Sequence, residues 1–171
     1  MPGPLFVPGV PSRYTEIMTD LPLFGAPNEK AAALARGITR MFAAMNCSTI
    51  WEMTLANGRR ADVAVLHPNS DFTLVEIKTS LSDFKSDNKW PDYLEFCDEL
   101  FFAVPEDFDV ALLPLEAGII IADRYGAEIV RPAPVDKLNA ARRKAVTMRF
   151  AHIAASRLQR VIDPELKPGI E

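Results

Sequence analysis

The dipeptide Asn57-Gly58, which separates two segments of β character, constrains the fold more than any other feature of the sequence. Residues 48–55 and 60–66 are rich in β-branched and apolar side chains. Asn-Gly between two such runs is a strong hairpin signal, because both residues tolerate positive φ. A third run, residues 72–79, follows a cluster of turn-forming residues. The sequence therefore predicts a meander of three antiparallel strands.

Helical periodicity precedes and follows this meander. Apolar residues recur at helical spacing in residues 27–45, and residues 80–100 are also predicted to be helical, with a break at Trp90-Pro91. A buried strand at 101–104 and a second hairpin at 118–131 come next. The fold class is therefore α/β (α+β).

A long helix is predicted to close the chain over residues 136–162. We expect its buried face to carry the residues that repeat every three or four positions. These are Leu138, Ala141, Ala145, Met148, His152 and Ala155.

The length of 171 residues fits one domain, predicted at 27–162, between a flexible Pro-rich tail at 1–26 and a tail at 163–171. No apolar stretch approaches the roughly 18 residues of a membrane span. The amino terminus lacks the pattern of a secretory signal. Cys47 and Cys97 are far apart, which suits a reducing compartment. We therefore expect a cytoplasmic protein without a membrane partner.

The net charge of −4 argues weakly against binding nucleic acid through bulk electrostatics, but the charges are unevenly distributed. Residues 131–160 contain eight Lys or Arg and one acid, whereas residues 83–109 contain nine acids and two lysines. The basic helix could bind phosphate. We favour the interpretation that the basic helix has a solvated face or pairs with the acidic segment.

Three charged residues of the meander indicate chemistry. Glu76 and Lys78 are two residues apart on one strand, so they share a face, and Asp62 lies on the adjacent strand. Two carboxylates at about 4 Å repel by around 4 kcal/mol at an effective dielectric near 20 and require a cation. Mg²⁺ (or Mn²⁺) fits, with Asp62, Glu76 and the carbonyl of Ile77 as ligands. Lys78 would orient the attacking water or stabilise the pentavalent phosphate.

Four short runs carry a family resemblance. They are Gly-Arg-Arg-Ala-Asp-Val at 58–63, Val-Glu-Ile-Lys-Thr-Ser at 75–80, Lys-Trp-Pro-Asp-Tyr at 89–93 and Phe-Ala-Val-Pro at 102–105. Together with the order of elements, they resemble the PD-(D/E)XK nuclease superfamily. More narrowly, residues 28–160 resemble the MmcB-like DNA repair proteins of bacteria.

The resemblance implies a restriction-endonuclease-like αβββαβ core with a mixed central sheet, acting on DNA in repair or recombination. Asp62, Glu76 and Lys78 match the catalytic positions. Ala61 stands where the motif often has proline. Glu29 is the candidate for the acid that the superfamily often places on its first helix.

Several exposed or aromatic residues are candidates for DNA contact, although solvated charges or core packing would explain them as well. They are Arg59, Arg60, Lys85, Lys89 and Trp90. Three hypotheses follow: a metal-dependent nuclease that uses a metal-activated water, a weak or inactive nuclease fold that binds DNA structures, and an interaction domain without nucleic-acid chemistry. The last would use the long helix to mediate association, for example as a homodimer.

Overall fold

The computed structural model describes residues 29–87 and 89–166 as one six-stranded sheet flanked by helices. The α-helices are α1 (Glu29–Ala44), α2 (Leu81–Ser86) and α3 (Ala140–Ile162), and two 3-10 helices span Trp90–Phe96 and Val110–Leu112. The strands are β1 (Ser48–Thr54), β2 (Arg60–Leu66), β3 (Phe72–Ile77), β4 (Glu99–Val104), β5 (Gly118–Ala122) and β6 (Ala127–Arg131).

The sheet is mixed, and its strands follow one another in chain order from β1 to β6. Strands β1, β2 and β3 pair antiparallel, β3, β4 and β5 pair parallel, and β6 returns antiparallel to β5. Gly58 has a φ of 80° in the turn between β1 and β2, where the hairpin was expected. The predicted meander, second hairpin and αβββαβ order are all confirmed.

Hydrophobic side chains cover both faces of the sheet. Helix α1 packs on one face, where Ile38 and Phe42 meet Val63, Val75 and other strand residues. The first 3-10 helix and α3 pack on the opposite face. Strand β3 is buried along its whole length, so a charged side chain placed on it is removed from water.

Residues 80–100 contain the predicted break at Trp90-Pro91, but they are less helical than the sequence predicted. Helix α2 ends after six residues. The second helical segment is the 3-10 helix that begins at Trp90, with Pro91 in its first turn. Ser80 caps α2 by accepting a hydrogen bond from the N–H of Asp83 at 3.2 Å. Asp87, which follows the last residue of α2, has an extended backbone, and its carboxylate accepts a hydrogen bond from Lys78.

The carboxy-terminal helix also departs from the prediction. It begins at Ala140 and not at residue 136, because Asn139 caps it by accepting from the N–H of Arg142 at 2.9 Å. Its buried residues are Val146 and Phe150. The predicted face was wrong, because five of its members are exposed to solvent: Ala141, Ala145, Met148, His152 and Ala155.

The predicted tail at 1–26 lies outside the described residues, as does the tail at 163–171 apart from 163–166. Within the described part of the chain, none of the helices combines the length and the apolar character needed to cross a bilayer.

Candidate active site

Asp62 and Glu76 lie next to each other on paired strands. The antiparallel β2–β3 register aligns Val63 with Val75. One position further along, Asp62 is therefore opposite Glu76. The N–H of Asp62 donates to Glu76 Oε1 at 3.3 Å, and the N–H of Ile77 donates to Asp62 Oδ2 at 2.7 Å. Each carboxylate is therefore held by the backbone of the neighbouring strand.

Lys78 follows directly after β3 and brings its ammonium group to the same site. Its backbone N–H donates to Ala103 O at 2.9 Å, which extends the pairing with β4 by one step. Its Nζ lies 3.8 Å from Glu76 Oε2 and 2.5 Å from Asp87 Oδ2. The two predicted acids and the predicted amine are thus brought together, with Asp87 as a further member.

Burial separates this cluster from an ordinary surface ion pair. Glu76 is 4% exposed and Lys78 is 5% exposed. An exposed pair costs little to form and contributes under about 1 kcal/mol, whereas buried charges carry a desolvation penalty that must be offset by partners. Glu76 and Lys78 are therefore not charges on an open, solvated sheet face.

The pKa values of both carboxyl groups are shifted upward. Burial raises the pKa of Glu76 well above its usual value, and the nearby charge of Asp62 adds to the shift, while Lys78 opposes it. Burial also raises the pKa of Asp62, against the hydrogen bond from Ile77 N–H. The two acids are therefore short of positive charge in spite of the lysine.

The pKa shifts of Lys78 and Asp87 favour the charged form of each group. Burial alone would lower the pKa of Lys78, but the hydrogen bond to Asp87 and the charge of Glu76 outweigh it, so the pKa is raised. Burial likewise disfavours the charged form of Asp87, yet the hydrogen bond from Lys78 brings its pKa below the usual value. The ammonium and this carboxylate thus stabilise each other as ions.

A polar pocket of about 560 Å³ opens onto the cluster. Asp62, Glu76, Ile77 and Lys78 contribute to its wall, and residues 79–86, which lead into α2 and form it, supply most of the remainder. These remaining residues are Ala31, Thr79, Ser80, Ser82, Asp83 and Ser86. The pocket is large enough for a hydrated ion together with part of a nucleotide.

The donors suit a hard divalent cation better than a soft one. Among the residues that the structure describes, no group of three or more His, Cys, Asp and Glu side chains is arranged to hold a metal. Two carboxylates and a nearby carbonyl are nevertheless a sufficient protein contribution for Mg²⁺, which retains several waters. The excess of acid over base around Glu76 is consistent with such an ion.

Sequence reasoning missed four residues at this site. Asp87 pairs with Lys78, and Asp83 accepts from the N–H of Thr79 at 3.1 Å at the pocket wall. The Ser80-x-x-Asp83 spacing is a capping signature that could have identified Asp83. The hydroxyl of the buried Tyr93 donates to Arg60 O at 3.1 Å, and burial raises its pKa, with the charge of Glu76 adding to the effect.

Glu52 is the fourth missed residue, and its backbone is unusual. It has a φ of 50°, in the left-handed region that non-glycine residues rarely adopt. It lines a cavity of about 40 Å³ together with Asp62 and Ile77. A carboxylate on β1 therefore stands beside the cluster, and strained backbone of this kind often marks a functional site.

The predicted accessory acid does not reach the pocket. Glu29, the first residue of α1, is exposed and lines a different pocket, together with Asp123 and Arg124 near the β5–β6 turn. Ala31 of the same helix faces the cluster instead.

The five candidates for DNA contact differ in their surroundings. Arg59 is bound to Asp92, with its Nε and Nη2 at 2.9 and 2.7 Å from one carboxylate oxygen. Trp90 packs edge-on against Phe102 with ring centroids 6.0 Å apart, as the core-packing interpretation expected. Arg60, Lys85 and Lys89 are exposed. Arg60 Nη1 lies 3.5 Å from Glu52 Oε2, near the site.

Fold and pocket together define a small α+β domain in which two neighbouring strands, β2 and β3, bring two acids and the lysine that follows β3 to a polar cleft. The chain belongs to the MmcB-like family: residues 22–165 match the family model described as DNA repair protein MmcB-like. Among curated proteins, no match was found.

A solved structure supports the fold. The chain is 44% identical to the SPO1766 protein of unknown function from Silicibacter pomeroyi, with a TM-score of 0.78. The similarity covers 86% of this chain and 99% of that one. Family and architecture therefore agree with the prediction made from the sequence.

Proposed function

We propose that the protein is a metal-dependent nuclease of the PD-(D/E)XK type that hydrolyses phosphodiester bonds of DNA during repair or recombination in the cytoplasm. The family to which it belongs is one of DNA repair proteins. The observation that carries the proposal is that the half-buried Asp62 and the buried Glu76 and Lys78 meet at the wall of an open polar pocket. A carboxyl group whose pKa is shifted by burial and by specific charged neighbours, at the wall of a cleft, is a candidate for a functional site.

Asp62, Glu76 and the Ile77 carbonyl are proposed to hold Mg²⁺ or Mn²⁺. Such an ion, when bound, lowers the pKa of a coordinated water and offsets charge on the scissile phosphate. The backbone hydrogen bonds to both carboxylates fix their direction before the ion arrives. This preorganisation reduces the reorganisation needed at the moment of reaction.

Lys78 is proposed to stabilise the phosphate as water attacks in line. The water oxygen forms a bond to phosphorus and releases one proton to solvent, while the bond to the leaving oxygen breaks and that oxygen takes up a proton from solvent. The negative charge that develops on the phosphoryl oxygens faces the Lys78 ammonium. Asp87 keeps this ammonium charged and directed, because the two groups are 2.5 Å apart.

The same ion pair favours a second candidate, a nuclease fold that binds DNA structures without cutting them. If Asp87 retains Lys78 when DNA is bound, the amine is not available to the phosphate. The pocket would then serve recognition and not hydrolysis. The two functions make opposite predictions in one assay.

The assay incubates the protein with labelled single-stranded, duplex and branched DNA in Mg²⁺ or Mn²⁺. The nuclease proposal expects cutting that EDTA abolishes and that Glu76→Gln and Lys78→Ala each reduce by at least about 100-fold, as for removal of one transition-state charge contact. The exposed Glu106→Gln and Lys144→Ala serve as matched controls and should cut normally. Binding without cutting would support the second candidate, and cutting that survives both substitutions would exclude this site.

A further inference from the structure

One side of α3 is exposed to solvent along the whole length of the helix. Its residues follow one another at alternate spacings of four and three, the repeat of helices that pack side by side in a coiled coil. They are Ala141, Ala145, Met148, His152, Ala155, Gln159 and Ile162, and all are exposed. Met148 and Ile162 expose 63% and 75% of their surface. These residues form the outer stripe of α3.

The outer stripe is not the side that holds α3 on the domain. Val146 and Phe150, on the other side of the helix, are buried and belong to the core. The outer stripe contains the five exposed residues that the sequence predicted to be buried. The sequence thus carries a signal for burial that a single chain, as far as the structure describes it, does not satisfy. Exposed apolar residues that form a continuous surface mark a site of association.

The positive charge of α3 lies mostly away from the outer stripe. The helix contains six Lys or Arg and no acid. Four of the six bond to other elements of the domain: Arg142, Arg143, Arg149 and Arg157. Lys144, which is exposed, borders the stripe beside Ala145. A second helix can therefore approach the stripe without meeting a row of unpaired cations.

The two ends of the outer stripe differ in size and in charge. At the amino-terminal end the stripe is formed by alanines such as Ala145, and Lys144 lies beside them. At the carboxy-terminal end it finishes with the bulky Ile162, and two exposed acids, Asp163 and Glu165, follow. Two such helices in antiparallel orientation bring small residues against large ones and the lysine against the acids.

A parallel pair of the same helices loses both kinds of complementarity. In a parallel coiled coil, flanking positions five residues apart meet across the interface. Lys144 would then face Arg149 of the second copy on both sides of the pair, and like charges at that distance repel. Small residues would also face small residues at one end. The stripe is therefore complementary to itself in the antiparallel direction, which favours a second copy of this chain as its partner.

We propose that the outer stripes of two copies of this chain pack together as an antiparallel helix pair, so that the protein is a homodimer. The two-fold axis passes near the middle of α3, where each copy makes the same contacts as the other. In this register Ala145 of one copy lies opposite Ile162 of the other, and Met148 lies opposite Gln159. The proposal goes beyond the proposed function and does not depend on it.

Sedimentation equilibrium of the full chain at about 50 μM tests the proposal, because a dimer with a micromolar Kd is populated at that concentration. The wild type should be dimeric. Met148→Lys should raise the dimer Kd by at least about tenfold, since it buries a charge without a partner. Met45→Lys changes a methionine that is 49% exposed just after α1 and is the matched control, which should remain dimeric.

Met148 is exposed in the single chain, so its replacement should leave the domain folded, and circular dichroism checks this. A monomeric wild type would assign the outer stripe to a different occupant and overturn the proposal. A dimer whose Kd is unchanged by Met148→Lys would use another surface and would overturn it as well.

Disulfide crosslinking tests the direction of the pair. Ala145→Cys and Ile162→Cys, purified separately and then mixed under mild oxidation, should form a linked dimer, because the two positions face each other. Neither variant should link to itself, since the two copies of Ala145 are about 25 Å apart along the helix axis. The wild type, with its half-buried Cys47 and buried Cys97, is the control. Linkage of Ala145→Cys to itself, without linkage to Ile162→Cys, would overturn the antiparallel arrangement.

Discussion

Lys78 Nζ lies 2.5 Å from Asp87 Oδ2 and 3.8 Å from Glu76 Oε2, so the amine of the site is shared unequally between two acids. Asp87 stands at the end of α2, whereas Glu76 is on β3. The position of the ammonium group therefore depends on where a short helix ends. Asp87 acts on the reaction through Lys78 and is a positioning residue.

Asp87→Asn should lower kcat by about tenfold and leave KM nearly unchanged, the usual size of effect when the partner of an active-site group is removed. The amide keeps the shape but gives Lys78 a weaker acceptor. Asp107→Asn, at an exposed position, is the matched control. Steady-state kinetics on a DNA substrate measure both constants. An unchanged kcat would mean that Asp87 does not position the amine.

Because of Asp98, the free energy of unfolding should decrease as the pH becomes acidic. Its carboxylate accepts from the N–H groups of Phe72 and Leu138 at 2.6 and 2.9 Å and from Arg143. Burial opposes its ionisation, but the bonds from Arg143 and the backbone outweigh it and bring its pKa below the usual value. A lowered pKa means that the stabilisation is complete above the unfolded value of about 3.9 and is lost as the pH falls through the folded value.

Urea unfolding at pH 7 and pH 3 measures this contribution. Asp98→Asn should lower the free energy of unfolding at pH 7 by about 3 kcal/mol, because it leaves Arg143 without its buried partner. At pH 3 the difference from the wild type should shrink. Asp107→Asn should change stability by under about 0.5 kcal/mol at both pH values, as expected for a surface position. A constant difference at both pH values would contradict the ionised role of Asp98.

Gly37 should not tolerate a side chain. It lies in α1, and a Cβ added there would overlap the carbonyl oxygens of Asp123 and Gly126 in the β5–β6 turn. Gly37→Ala should therefore lower the free energy of unfolding by about 1–3 kcal/mol, even though alanine favours helices. Gly126→Ala is the control, because a Cβ there meets nothing within 4 Å. Thermal unfolding compares the two, and equal stability would show that the helix can move away.

The meander and the pairing of Asp62 with Glu76 could be predicted because local signals determine them. The turn at Gly58 and the turn before Phe72 each set the register of a hairpin, and register decides which side chains are neighbours. Alternation along β3 then placed Lys78 beside Glu76. These steps need no information from distant parts of the chain.

Asp87 and Glu52 could not be found in this way. The sequence predicted a break at Trp90-Pro91 with helix up to it, whereas α2 already ends at Ser86. Glu52 is not a glycine yet has a positive φ, and its carbonyl oxygen accepts a hydrogen bond from Arg157 of α3, which is far away in sequence. Both residues depend on contacts between segments distant in sequence.

The buried face of α3 was predicted wrongly for a related reason. The helix carries two apolar stripes, one with Val146 and Phe150 and the other with Ala145 and Met148. Periodicity detects both stripes but does not say which one meets the sheet. The ion pair of Arg143 with Asp98 and the bond from Arg149 to β1 are compatible with the first only.

The central claim is that Asp62 and Glu76 hold a divalent ion, and electron paramagnetic resonance of Mn²⁺ titrated into the protein tests it most directly. We expect the wild type to bind one or two Mn²⁺ ions per chain at the site, and Asp62→Asn/Glu76→Gln to lose this binding while remaining folded. Asp107→Asn should bind as the wild type does. Undiminished Mn²⁺ binding by the folded double variant, or none by the wild type, would contradict the account.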